Sequence, residues 1–166
     1  MALEIERRYV VKRGLWLAPH GGVHLKQGYV PTQDGSTVRV RIAGDAAYLT
    51  LKDHSVGTTR HKFEYSIPIA DAEAILDTMC GKPQVEKIRY RIPAAEAGLV
   101  WEVDEFLGDN APLITAEIEL PTEDTPFSKP DWIGEDVTDD HRYKNNNLAT
   151  HPYGSWPSMD LKILNP

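Results

Sequence analysis

The sequence predicts a mainly β (α+β) protein of eight antiparallel strands, forming a sheet or a barrel, with a few helices packed outside. Three observations predict this. Eight short runs alternate apolar and polar residues with a period of two. Gly, Pro and Asp punctuate them at hairpin-like spacing. Within the runs the charges share one face, and their signs are segregated from strand to strand.

Residues 3–11, LEIERRYVV, set the pattern: Glu4, Glu6 and Arg8 occupy alternate positions and therefore share a face among strand formers such as Ile5 and Tyr9. Runs follow at 23–30 and at 37–43, where Arg39 and Arg41 oppose Val38, Val40 and Ile42. In 46–53, Lys52 shares a face with Tyr48 and Thr50, and HSVGTT at 54–59 reads as a loop. The run at 60–69 puts Arg60, Lys62 and Glu64 on one side. A helix is expected over 71–80: Asp71 is the candidate N-cap, Ile75, Leu76 and Met79 form its apolar stripe, and Gly81 stops it before Pro83. In 84–92, Lys87, Arg89 and Arg91 line up against Ile88, Tyr90 and Ile92. In 99–106, Glu102 and Asp104 oppose Trp101 and Val103, and in 113–120 Glu117 and Glu119 oppose Ile118 and Leu120. A second short helix is expected at 129–137, anchored by Trp132 and Ile133. Residues 1–152 read as one domain and 153–166 as a loosely held tail.

With 166 residues, 41% of them hydrophobic and 26% charged, the chain reads as soluble and globular. Nothing in it approaches the roughly 18 apolar residues of a membrane span, and it opens without a signal-peptide pattern. Cys80 is the single cysteine, so an internal disulfide and a thiolate metal site are excluded, and a cytoplasmic location is expected. A net charge of −7 argues against a nucleic-acid partner. His20 and His24 lack a third ligand for zinc, and Gly21-Gly22 lacks the strand-to-helix context of a phosphate loop.

The segregated signs carry the functional reading. Bases occupy the strands around 39–52 and 87–91, while acids occupy those around 4–6, 102–104 and 117–119. Solvated sheet faces usually mix the two. If the strands close with these faces inward, like charges crowd a partly desolvated channel, which is costly unless a ligand neutralises them. Clustered Arg and Lys suit a polyanion, because the guanidinium fork binds two phosphate oxygens. Clustered carboxylates suit Mg²⁺ or Mn²⁺. The expected ligand is therefore a metal–polyphosphate complex, with Glu4 and Glu6 facing the metal and Arg8 a phosphate.

These residues resemble the CYTH superfamily, the triphosphate tunnel metalloenzymes, over nearly the whole chain. An E-x-E-x-K strand is the family hallmark, matched by Glu4, Glu6 and Arg8. QGY at 27–29, VRVR at 38–41, TLK at 50–52, VEKIRY at 85–90, WEVDEF at 101–106, AEIEL at 116–120 and EDVTDDHRYKNNNLA at 135–149 follow in order. The resemblance implies an eight-stranded antiparallel closed tunnel that takes a small-molecule triphosphate (inorganic triphosphate, ATP or thiamine triphosphate) with Mg²⁺ or Mn²⁺, as monomer or homodimer. It implies metal-side carboxylates at Glu4, Glu6, Glu117 and Glu119, with Glu64 and Asp104 at further acidic positions. It implies a phosphate clamp of Arg8, Arg39, Arg41, Lys52, Lys87 and Arg89, with Arg142 and Lys144 over one tunnel mouth, and Tyr29 pairing with Arg8. Arg8, Tyr29 and Glu6 are the expected catalytic group.

Two departures from the pattern stand out. Arg8 replaces the motif lysine and cannot plausibly give up a proton, and Lys62 and Ser66 replace two alternating carboxylates of the fifth strand. The expected activity is metal-dependent hydrolysis of a linear triphosphate to phosphate and pyrophosphate. The alternatives are an adenylyl cyclase making cyclic AMP, and a triphosphate- or nucleotide-binding module without turnover.

Overall fold

The computed structural model describes residues 5–54 and 61–157. Its nine strands are β1 (Glu6–Val11), β2 (Val23–Val30), β3 (Thr37–Ala43), β4 (Ala46–Lys52), β5 (Lys62–Ile67), β6 (Val85–Pro93), β7 (Val100–Phe106), β8 (Ile114–Glu119) and β9 (Ile133–Asp136). They form one antiparallel sheet in the order β5-β4-β3-β2-β6-β7-β8-β1-β9. Eight strands match the expected runs to within two or three residues at each end.

The expected closed barrel is incorrect. The ladder runs from β5 to β9, and these two edges do not pair with each other. A closed ring of eight strands would need the free side of β1 to meet β5. That side is taken by β9, with Tyr9 opposite Asp136 and Val11 opposite Ile133. β9 lies where a helix was expected over 129–137. Gly134 permits the pairing, because a Cβ there would sit 2.7 Å from the Val10 carbonyl oxygen. Ile133 does anchor the segment, buried in the outer core.

The sheet is strongly curved nonetheless. Val10 of β1 and Tyr29 of β2, four strand-steps apart along the ladder, pack into one hydrophobic cluster. On a flat sheet those strands would be about 19 Å apart. Apolar side chains fill the convex face, as the alternation requires. Tyr9, Val11, Trp101, Val103, Ala116 and Ile118 pack there beneath Trp16, Phe127 and Trp132. A helix, α1 (Ile69–Thr78), covers the convex side of β3 and β4 through Ala72 and Leu76.

α1 starts at Ile69 behind Pro68, two residues before the expected cap, so Asp71 belongs to its first turn. Of the expected stripe Leu76 is buried and Ile75 partly so, but Met79 is 56% exposed. Gly81 is not in the left-handed conformation of a glycine stop. Instead, Lys82 Nζ and Gln84 Nε2 donate to the Leu76 carbonyl at 3.0 and 2.6 Å, satisfying a terminal acceptor.

At one end of the concave face the side chains are apolar. Val10, Val85 and Phe106 pack against Val137, Tyr143, Leu148 and Tyr153 of the C-terminal segment, with Trp156 against them. This plug seals the concave face at that end. Among the described residues no helix is long and apolar enough to cross a membrane.

α1 seats directly over a glycine of β2. A Cβ on Gly28 would lie 2.9 Å from Leu76 Cδ2 and 3.0 Å from Cys80 Cβ. Gly28→Val is therefore expected to lower stability by about 1–3 kcal/mol, read as a lower urea midpoint at unchanged slope. An unchanged midpoint would contradict the seating of α1 on this residue.

Candidate active site

Cross-strand register carries one polar face across the sheet. Glu6 lies opposite Glu119 and Arg8 opposite Glu117, and Glu117 lies opposite Glu102. Arg91 faces Glu102 and Arg89 faces Asp104. Across β2 and β3, Gln27 faces Arg41 and Tyr29 faces Arg39. Arg39 then faces Thr50, Thr50 faces Glu64, and Lys52 faces Lys62. The described part of this face holds eight cations (Arg8, Arg39, Arg41, Lys52, Lys62, Lys87, Arg89, Arg91) and six carboxylates (Glu6, Glu64, Glu102, Asp104, Glu117, Glu119). A chain of net charge −7 thus concentrates a positive excess on its concave side.

The floor of the site is a buried ion triad. Arg89 Nε and Nη2 donate to Asp104 Oδ1 and Oδ2 at 2.7 and 2.9 Å. Lys87 Nζ lies 2.9 Å from Asp104 Oδ2 and donates to Asn145 Oδ1 at 2.8 Å. Burial works against the Asp104 charge, but Lys87 and Arg89 hold its carboxyl well below the usual range. Burial also pulls the Lys87 ammonium down, to about 7, against the opposing pull of Asp104.

Beside the triad, Arg8 Nε and Nη2 both bond Glu117 Oε1, at 2.8 and 2.7 Å, and Nη1 donates to the Tyr143 carbonyl at 3.4 Å. Glu6 lies 3.6 Å from Arg8 and is the more exposed of its two acids. Burial disfavours the Arg8 charge, but Glu117 and Glu6 outweigh it and leave the pKa above the ordinary arginine value. Tyr29 is raised by burial despite Arg39 and Arg41, and its hydroxyl accepts from Gln27 Nε2 at 2.9 Å. Arg8 and Tyr29 are near one another but share no hydrogen bond. Both keep their protons at neutral pH.

Across the concavity the arginines are less well neutralised. Arg41 Nε donates to the neutral amide oxygen of Gln27 at 2.9 Å and, among the described residues, has no carboxylate partner. Burial first, then Arg39 and Arg89, pull it down to about 10. Arg39 Nη2 donates to Thr50 Oγ1 at 3.1 Å and reaches Glu64 at 3.5 Å, while its Nε is buried without an acceptor. Thr50 Oγ1 in turn donates to Glu64 at 2.8 Å. A cavity of about 510 Å³ opens against Arg41, Arg89, Arg91 and Glu64, with Tyr48 and the loop at Pro19–Gly21 on its apolar wall.

Most of the expected site residues lie on this face, while Arg142 and Lys144 lie on the C-terminal segment. Arg142 chelates Asp140 through Nε and Nη2 at 3.0 and 2.7 Å and lies over the rings of Tyr143 and Trp156. Lys144 is exposed on the C-terminal segment. Their neighbours reach the site instead: the Tyr143 carbonyl touches Arg8 and the Asn145 amide touches Lys87. Glu4 and Arg60 lie outside the described residues. Gln27, Thr50 and Glu102 join the site through strand parity, which places each beside a recognised neighbour. Asn145 has no such signal.

The folded chain binds the Lys87 proton more weakly than the unfolded chain, whose lysines titrate near 10.4. Between about pH 7 and 10 the unfolded state therefore holds more protons, and raising pH relieves the cost of a buried ammonium. The stability of the wild type relative to Lys87→Met is expected to rise across that window in urea titrations. A flat difference would contradict a depressed Lys87.

The CYTH domain family matches residues 2–153 of the chain. An inorganic triphosphatase of Acetivibrio thermocellus is 46% identical over 153 residues, covering 92% of this chain and 97% of that protein. Another inorganic triphosphatase, from Nitrosomonas europaea, is 37% identical and covers 88% and 96%. In three dimensions, a crystal structure of an inorganic triphosphatase matches at a TM-score of 0.66 with 35% identity, covering 90% of this chain and 95% of that one. The chain belongs to the CYTH domain family.

Proposed function

We propose that the chain hydrolyses inorganic triphosphate to orthophosphate and pyrophosphate on its concave face. The carrying observation is Arg41, a mostly buried guanidinium flanked by Arg39 and Arg89 whose one partner among the described residues is a neutral amide. An excess of buried positive charge is relieved by a polyanion, and three guanidiniums fit the oxygens of successive phosphates. The inorganic triphosphatases of Acetivibrio thermocellus and Nitrosomonas europaea support the same substrate.

A divalent cation fits the donors at the acidic end. Glu6, Glu119, Glu117 and Glu102 are in register on adjacent strands and offer oxygen only, the donor type Mg²⁺ and Mn²⁺ prefer. Among the described residues no three acidic, His or Cys side chains form a ready-made cage, so the substrate oxygens would complete the set. Asp104 has both oxygens committed to cations, and in this reading it positions Arg89. When bound, the metal neutralises phosphate charge and lowers the pKa of coordinated water.

The chain's own residues do the rest. Arg39, Arg41 and Arg89 hold the phosphates in line and stabilise charge on the leaving pyrophosphate. Arg8 stays charged and orients Glu117, which is an electrostatic role that arginine fills as well as lysine. Glu6, the more exposed partner of Arg8, takes the proton of the attacking water as its oxygen bonds to the terminal phosphorus and the bridging P–O bond breaks.

The test is product analysis with tripolyphosphate, ATP and thiamine triphosphate, each with Mg²⁺ or Mn²⁺. Equal orthophosphate and pyrophosphate from tripolyphosphate is expected. Cyclic AMP from ATP, or tight binding without turnover, would overturn the hydrolase reading. Glu119→Gln is expected to cut turnover by about a hundredfold or more with an unchanged melting temperature; retained activity would contradict this carboxylate's assignment.

A further inference from the structure

Asn145 touches the site from outside the sheet, and the proposed chemistry leaves it without a task. Its Oδ1 accepts from Lys87 Nζ at 2.8 Å. An ammonium only donates, so the amide must present its oxygen to it. Lys87 is 0% exposed, and its ammonium has the two acceptors Asp104 and Asn145, with the Phe106 ring centre 5.4 Å away. Asp104 Oδ2 is shared between Lys87 and Arg89, so a displaced ammonium shifts the carboxylate that grips the Arg89 fork. Arg89 lines the cavity.

Asn145 is itself held from behind. The turn before it is fixed by buried Tyr143, and the turn after it by buried Leu148, whose carbonyl accepts from Asn110 Nδ2 at 3.3 Å. The amide is therefore a rigid stop mounted on the C-terminal plug, and Lys87, with its flexible stem, is the part that needs one. We propose that Asn145 is a positioning residue that acts through Lys87 and Asp104 to aim Arg89 at a phosphate of the substrate. This rests on the triphosphate reading, and it makes the segment after β9 a determinant of substrate affinity.

The experiment measures tripolyphosphate binding calorimetrically without metal, and KM and kcat with Mg²⁺, for wild type, Asn145→Leu, Lys87→Met and the double variant. Asn145→Leu is expected to weaken binding and raise KM by about tenfold, with kcat changed by less than about twofold. In the Lys87→Met background, where no ammonium needs a stop, the same substitution is expected to change affinity by less than about twofold. A purely structural residue would lower kcat through the active fraction and leave KM alone, and that result would overturn the proposal. So would equal losses from Asn145→Leu in the two backgrounds. Should the single variant fail to fold, the double variant, with both buried polar partners replaced, is compared with Lys87→Met alone, and a tenfold loss there overturns the proposal. Wild type that turns over tripolyphosphate while Asn145→Leu binds it unchanged faults this inference only; wild type that does not bind it faults the triphosphate reading as well.

Discussion

One carboxylate shared between two buried cations governs the site. Asp104 is shared by Lys87 and Arg89, and Glu102 lies 3.6 Å from the same Arg89 guanidinium, so the cations are held together by acids in a place where charge is expensive. Arg8 and Glu117 cancel one another beside it, and Arg41 has no carboxylate partner among the described residues. What is left over is the Arg41 guanidinium set against Arg39 and Arg89, a repulsion that a bound anion would relieve.

Holding such a face together requires that stability come from elsewhere. It comes from the convex side, where Trp101, Val103, Ala116 and Ile118 are fully buried beneath a separate layer of aromatic side chains. Curvature then does for the concave face what burial does for the core: it brings Glu64 of β5 and Arg89 of β6, four strand-steps apart along the ladder, onto one cavity. β9 completes the free side of β1 and leaves the sheet open between β5 and β9. An open sheet reaches the same convergence of charges as a closed tunnel, because side-chain direction depends on strand parity and twist and not on whether the edges meet.

Parity explains why so much was legible beforehand. Alternation assigns Arg39 and Arg41, or Glu117 and Glu119, to a face without any knowledge of their partners. What alternation lacks is the identity of the neighbouring strand, so closure and the placement of β9 were out of reach. β9 has four residues and pairs with a strand more than 120 positions away, and its Trp132-Ile133 pair reads equally well as a helix anchor. In the C-terminal segment, Arg142 and Lys144 drew notice for their charge. The structure pairs Arg142 with Asp140 and leaves Lys144 exposed, while the Tyr143 carbonyl and the Asn145 amide between and beside them reach Arg8 and Lys87. Neutral polar groups that complete a charged site leave little trace in composition, and three consecutive asparagines carry no period from which to choose among them.

If the concave face binds phosphates in series, affinity must depend on the length of the phosphate chain. Orthophosphate, pyrophosphate and tripolyphosphate would be titrated into metal-free protein at one fixed ionic strength, alongside Arg41→Gln. The account predicts that affinity rises with each added phosphate and that Arg41→Gln costs tripolyphosphate the most. Equal affinity for all three anions, or an unchanged series in the variant, would contradict it.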